Sequence, residues 1–248
     1  MLLLVAYIFL TIGYNHLKGQ EVVPVKNTDG TYGLNIANVY FEVDPSFGSR
    51  ICSFQVNGEE LLYGSKTPAN GYLWGATFWQ SPQSEWNWPP STALDKGAYK
   101  GGIVGNTISL LSGEDKNYNT HLTFRKTFSG NLSDTSVTII YTMINNGTVA
   151  HSYSGWEITR IPPDGMAFFP YGSGSITGDF ANQVVKANGI AWWDHKGTEP
   201  TSQKYFSDGK DGWDSWLSDN NVLFIRNFDD VPSDKQAPGE KEIELWLQ

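Results

Sequence analysis

Residues 135–147 read TSVTIIYTMINNG, and their alternation fixes the class of fold. Val137, Ile139, Tyr141 and Met143 fall on one face of an extended chain, and Thr138, Ile140, Thr142 and Ile144 on the other. Both sets are partly apolar, which predicts a strand covered on its two faces by other layers. The Asn145-Asn146-Gly147 sequence then closes the segment as a turn.

The same rhythm runs in both directions from this strand. Upstream, NTISLLSG (106–113) and HLTFRKTFSG (121–130) are strand-length runs bounded by turn residues. Further back, Asp29-Gly30 and Asn57-Gly58 are hairpin signals that flank NVYFEVD (38–44), where Val39, Phe41 and Val43 share a face. Downstream come SGWEITRIP (154–162), MAFFPYGSGS (166–175) and NVLFIRNF (221–228). Residues 178–220 mix short strands with long loops. EIELWLQ (242–248) alternates Ile243, Leu245 and Leu247 against Glu242, Glu244 and Trp246. No sustained helical stripe and no fixed-period repeat is present, so an all-β sandwich is predicted. The last strand stops at Gln248 without a turn, which predicts that the natural domain is truncated here at its C-terminal side.

The bulk numbers bound the function. A chain of 248 residues with 40% apolar and 17% charged side chains can bury a large core as one domain. A net charge of −9 without a basic run opposes binding to nucleic acid or to anionic lipid. The single cysteine, Cys52, permits no internal disulfide and no cysteine-based zinc site, and reads as a small buried hydrophobe. Residues 1–20 open with MLLLVAYIFLTIGY, an apolar run of signal-peptide length and too short to span a bilayer. They predict export, hence a secreted or periplasmic protein with no integral span after signal removal. Residues 21–248 then form the folded domain. No cofactor is expected and no histidine spacing suggests a metal. Asp208, Asp211, Asp214 and Asp219 lack a calcium-loop spacing and read as a solvated acidic loop.

One stretch breaks the strand rhythm. LWGATFWQSPQSEWNWPP (73–90) carries Trp74, Trp79, Trp86 and Trp88 among Gln80, Gln83, Glu85 and Asn87, and its prolines exclude a helix. It is read as a loop lying on the scaffold, with flat rings and short polar groups suited to a sugar's C–H faces and hydroxyls. Against this stands a core role for each indole, because tryptophan is usually well buried. Trp79, Gln83, Glu85, Trp86 and Trp88 are the expected ligand contacts. Trp156 and Arg160 join them if they share a face, Arg160 offering a planar fork to a carboxylate or hydroxyls. Glu157 and Arg160, three apart, point to opposite faces of a regular strand. Among the histidines, His195 in WWDHKG is the best acid, with Asp194 beside it.

These same runs carry a family resemblance. TFWQSPQSEWNWPP, GWEITRI and MAFFPYG, with the opening NVYFEVDPSFGSRICSFQVNGEELL, resemble an uncharacterised bacterial family grouped with the galactose mutarotase-like (aldose 1-epimerase-like) proteins. The likeness extends from Val39 to Gln248. It implies a β-supersandwich whose large sheet presents a concave, carbohydrate-binding face. The enzymes of that superfamily use a histidine acid and a glutamate base at the anomeric centre. Their Asn-His strand motif is absent here, where the corresponding run is 155–160, GWEITR. Their late glutamate falls beyond Gln248, and neither Glu242 nor Glu244 is taken for it. Three functions stay open: a secreted carbohydrate-binding protein, an epimerase-like enzyme using His195 and Glu157, and a structural accessory domain with no ligand.

Overall fold

The computed structural model describes residues 21–64, 71, 73–86, 88–118, 120–163, 165–196, 202–237 and 239–247. The expected signal at 1–20 lies outside them, as does Asn87. The chain is all β. Its first sheet takes β1 (Val25–Lys26), β2 (Tyr32–Ile36), β3 (Val39–Asp44), β4 (Arg50–Val56), β5 (Glu59–Glu60), β6 (Ala76–Ser81) and β11 (Ser154–Thr159). The order is β1-β2-β3-β4-β6-β11, with β5 paired to β4. A four-stranded sheet of β7 (Lys100–Val104), β8 (Thr107–Leu111), β9 (Leu122–Asn131) and β10 (Ser136–Asn145) covers one of its faces. Phe41, Phe78, Phe124 and Phe128 meet in the shared apolar interior.

A five-stranded sheet follows, built from β12 (Gly165–Pro170), β14 (Val185–Ala187), β15 (Ile190–His195), β17 (Trp213–Ser218) and β18 (Leu223–Asn227). A three-stranded sheet of β13 (Thr177–Gly178), β16 (Gln203–Ser207) and β19 (Ile243–Leu247) packs on it. Phe169, Phe180, Trp193 and Tyr205 lie in this second interior. All pairings are antiparallel among the described strands. Among the described residues the one α-helix is α1, Thr92–Asp95, and no helix is long and apolar enough to cross a membrane.

Local rules explain most of these elements. Asn57 and Gly58 both take positive φ, 54° and 82°, which is the twist a two-residue hairpin between β4 and β5 demands. Val39, Phe41 and Val43 are buried along β3, as their alternation requires. Two expectations fail. The strand at 136–145 is covered on one face alone: Val137, Ile139, Tyr141 and Met143 pack inward, whereas Ile140 is 56% exposed. An edge strand of a two-layer sandwich has no third layer to cover it. The stretch 73–90 is not a loop throughout, because 76–81 forms β6, between β4 and β11 and buried at all six residues. With both faces buried, polar Thr77, Gln80 and Ser81 are covered as fully as Ala76, Phe78 and Trp79, so no in–out alternation marks the strand for a period-2 reading.

Candidate functional site

Strand β6 sends its side chains two ways. Phe78 enters the first core, stacked on Tyr141 at 4.2 Å. Thr77 and Trp79 face the opposite side, where α1 docks. Gly48 lets α1 approach: a Cβ there would sit 1.7 Å from the Asp95 carbonyl oxygen. Its φ of +67° is also one that only glycine adopts without strain. The fully buried Asp95 then accepts hydrogen bonds from Trp79 Nε1 at 2.7 Å, Arg50 Nη2 at 3.0 Å and Thr77 Oγ1 at 3.3 Å.

Held this way, Trp79 is the centre of an edge-to-face cluster. Its ring lies 5.5 Å from Trp156, 5.7 Å from Trp88 and 6.0 Å from Trp86, at angles of 73–81°. Such T-shaped contacts match the positive ring edge to the negative face and restrict each indole to one orientation. Trp156 is the cross-strand partner of Trp79 in the β6–β11 pair. From the other side come β16 and β19, whose Lys204 and Trp246 are also cross-strand partners. Between these walls lies a cleft of about 270 Å³ lined by Trp79, Gln83, Trp88, Trp156, Lys204 and Trp246.

The rings are not equivalent. Trp79 is buried, whereas Trp88 is 51% and Trp246 44% exposed, so the cleft has a fixed floor and two accessible indole faces. Lys204 Nζ lies 5.4 Å from the Trp156 and Trp246 ring centres and 5.6 Å from Phe206, positions that favour a cation over each π-face. It also donates to Glu244 at 3.3 Å. Burial, and a hydrogen bond shared with Glu240, push the Glu244 carboxyl up to about 7 despite the opposing pull of Lys204. Glu240 in turn accepts from the Gln83 backbone N–H at 3.2 Å, tying the cleft's rim to the chain before β19. A larger groove of about 340 Å³, with Pro162, Trp216 and Phe224 in its lining, contains none of the residues expected from the sequence.

The expected contacts therefore divide. Trp79, Gln83, Trp88 and Trp156 come together in the cleft. Trp86 does not: it is buried and donates from Nε1 to the Gln80 carbonyl at 3.0 Å, supporting Trp79 from behind. Glu85 is exposed in a 3-10 turn and is not part of the lining. Arg160 is buried and is not part of the cleft lining, its Nε and Nη1 without a partner among the described residues. Burial, with Arg50 nearby, pulls its guanidinium down to about 10.

Glu157 accepts from Thr159 Oγ1 at 2.8 Å and from Arg226 Nη1 at 2.5 Å, and Arg226 also pairs with Asp214. Burial alone would lower the Arg226 pKa, but Asp214 and Glu157 more than offset it, so the guanidinium stays charged. Glu157 thus belongs to a bridge between β11 and β18. His195 stacks on Trp193 at 4.8 Å, in a different sheet, and neighbouring Asp194 bonds Lys196. The two expected acid–base residues are not assembled into one site. Asp214 sits in the Arg226 bridge and Asp208 accepts from Gln236, so the acidic run is dispersed. Among the described residues no group of three or more His, Cys, Asp or Glu could hold a metal ion. Burial raises the Cys52 thiol well above its ordinary value, consistent with a packing role.

Lys204, Trp246 and Glu244 were missed as site residues. Their signal was the alternation of two short strands, Lys204 and Phe206 against Tyr205, and Glu244 and Trp246 against Leu245. That alternation places them on one face. Only the pairing of β16 with β19 brings that face to the tryptophans. No protein-family model matches the chain, and a search of curated proteins gives no match.

Proposed function

We propose that this protein is a secreted carbohydrate-binding protein of the mutarotase-like kind, with the tryptophan cleft as its saccharide site. The observation that carries the reading is the pairing of two half-exposed indoles, Trp88 and Trp246, with a buried, hydrogen-bonded floor at Trp79. Pyranose rings present C–H faces that lie on such indoles, and their hydroxyls find donors and acceptors in Lys204 and Gln83 at the rim. The volume, just under the roughly 300–1,000 Å³ typical of ligand sites, suits one ring, with the rest of an oligosaccharide outside. The likeness of TFWQSPQSEWNWPP, GWEITRI and MAFFPYG to the mutarotase-like group supports the same ligand class and a supersandwich arrangement of the sheets.

The test is a glycan array with the wild type and Trp88→Ala. Trp88 is half exposed, so its truncation is expected to keep the fold and lose binding. An array without a single binder, or binding unaffected by Trp88→Ala, counts against the site.

A second reading, an epimerase-like activity at the anomeric centre, is favoured by Glu244 with its carboxyl near neutrality beside the cleft. Polarimetry of aldose mutarotation checks it: the rate over buffer should vanish in Glu244→Gln and persist in His195→Ala.

A further inference from the structure

The cleft's polar chemistry is lopsided. Among the six lining residues four are indoles, one is a neutral amide, and the charged one is Lys204. An ammonium has three donors. Among the described residues, Lys204 Nζ donates a single side-chain hydrogen bond, to Glu244 at 3.3 Å. That is long for a charge-assisted contact, whose usual length is about 2.7–2.9 Å. The lysine stem is fixed by its strand: the backbone N–H donates to the Asp179 carboxylate at 2.9 Å, and the head is centred among the rings of Trp156, Phe206 and Trp246. A positioned, half-satisfied cation therefore faces a hollow with walls that accept a flat apolar ring.

We infer that the saccharide taken here is acidic, a uronic acid residue whose carboxylate pairs with Lys204 Nζ while its ring lies against Trp88 and Trp246. This rests on the carbohydrate reading of the cleft and narrows it to one class of ligand. A carboxylate at about 2.8 Å from Nζ uses the donors that Glu244 leaves open. Desolvation by the surrounding indoles strengthens that pair relative to one in water.

The neighbouring carboxyls give the pairing a pH dependence. Among the described residues, the charged groups that act on Glu244 are Lys204 from β16 and Glu240 from the chain entering β19, while Asp179 holds the Lys204 backbone N–H. With its carboxyl pushed up to about 7, Glu244 is largely neutral in mildly acid solution and leaves Lys204 to the ligand. Above that pH its carboxylate competes for the ammonium and repels the incoming anion. A uronate, with a carboxyl pKa near 3.5 by analogy with an α-carboxyl, stays ionised throughout.

The experiment is calorimetric titration with oligosaccharides containing glucuronate, galacturonate or mannuronate, each beside its carboxyl-reduced neutral form. At pH 6 one of the acidic forms is expected to bind about ten- to a hundred-fold tighter than its neutral counterpart, the range of a charge-assisted hydrogen bond. Lys204→Met, which keeps an unbranched stem among the rings, should abolish that preference, so that the acidic and neutral forms bind with equal affinity. Affinity for the acid should fall above pH 7 by at most about tenfold per unit, the limit for one linked proton, and Glu244→Gln should remove that fall. Equal affinity for acidic and neutral forms, or a preference that survives in Lys204→Met, overturns the inference with carbohydrate binding intact. A fall with pH that survives in Glu244→Gln overturns the part given to that carboxyl. If neither form binds, the carbohydrate reading falls with it.

Discussion

Replacing Asp95 by alanine removes one fully buried carboxylate and three hydrogen bonds at once. Its Oδ1 receives the Arg50 guanidinium at 3.0 Å, the Trp79 indole N–H at 2.7 Å and the Thr77 hydroxyl at 3.3 Å. Arg50 is itself fully buried, so truncating its partner leaves a charge that water cannot reach. Breaking a buried ion pair from one side costs about 3–5 kcal/mol. For a domain of this length each kcal/mol moves the melting temperature by about 2–4 °C, so a fall of roughly 6–20 °C is expected. Asp95→Asn keeps one oxygen for Trp79 and Arg50 and should lose less, about 1–3 kcal/mol. Urea titration followed by tryptophan fluorescence and by far-ultraviolet circular dichroism measures both, and coincidence of the two signals checks that unfolding is two-state. An apolar pair of similar volume, Arg50→Met with Asp95→Leu, should recover most of the loss, because two charges are then removed together. Should Asp95→Ala lie within about 0.5 kcal/mol of wild type, the range usual for surface changes, the account of Asp95 as the anchor of Trp79 is wrong.

The two tryptophans that flank Asn87 should separate. Trp86→Ala empties a buried site and should cost about 3–5 kcal/mol, whereas Trp88→Ala should stay within about 0.5 kcal/mol of wild type, both read from urea midpoints. Glu244 gives a pH signature. Its folded carboxyl titrates near 7 against an ordinary 4.5, so the folded state holds the extra proton between those values. Stability should be full below pH 4.5 and fall as pH rises through 7, by up to roughly 3 kcal/mol, and Glu244→Gln should flatten that limb of the profile. Lys126 acts with the opposite sign. Burial pulls its ammonium down to about 7 from 10.5, so between those values the folded state holds fewer protons and stability should climb with pH. In Lys126→Met that climb should disappear, with stability at pH 6 equal to or above wild type, as melting curves across pH will show.

How much of this was legible depends on the range of the interactions. Alternation at 135–147 and 242–248 and the Asn57-Gly58 turn are local, and the chain forms those strands and that hairpin. β6 was hidden for the opposite reason: it lies between β4 and β11 with both faces covered, so no period remained to read. In the site, the cluster 79–88 was visible because its members are close in sequence. Their division into floor, support and exposed wall was not, because it depends on Asp95 and on the Gln80 carbonyl. Glu157 read as a candidate base, and nothing local showed the bridge that it joins. Arg226, 69 residues away, decides for the bridge. Lys204 and Trp246 carried no unusual local pattern, and their pairing across 42 residues of sequence is a long-range event.

The cleft owes its shape to contacts that lie outside it. One wall, β6 with β11, is fixed from below by Asp95 and from the side by the Glu157–Arg226–Asp214 bridge, which ties β11 to β18. The other, β16 with β19, is held by the second core through Tyr205, Ile243 and Leu247 on its inner face. Gln83 and Glu240 join the walls at the rim. Each indole is therefore oriented before any ligand arrives, and a ring entering the cleft need not spend binding energy on ordering the side chains that receive it. The exceptions are the outer faces of Trp88 and Trp246, the two rings that remain substantially exposed. A packing role alone would bury those two rings as it buries Trp79 and Trp86. Their exposure over a rigid floor, beside a cation with donors to spare, is what favours the proposed ligand site over a packing role alone.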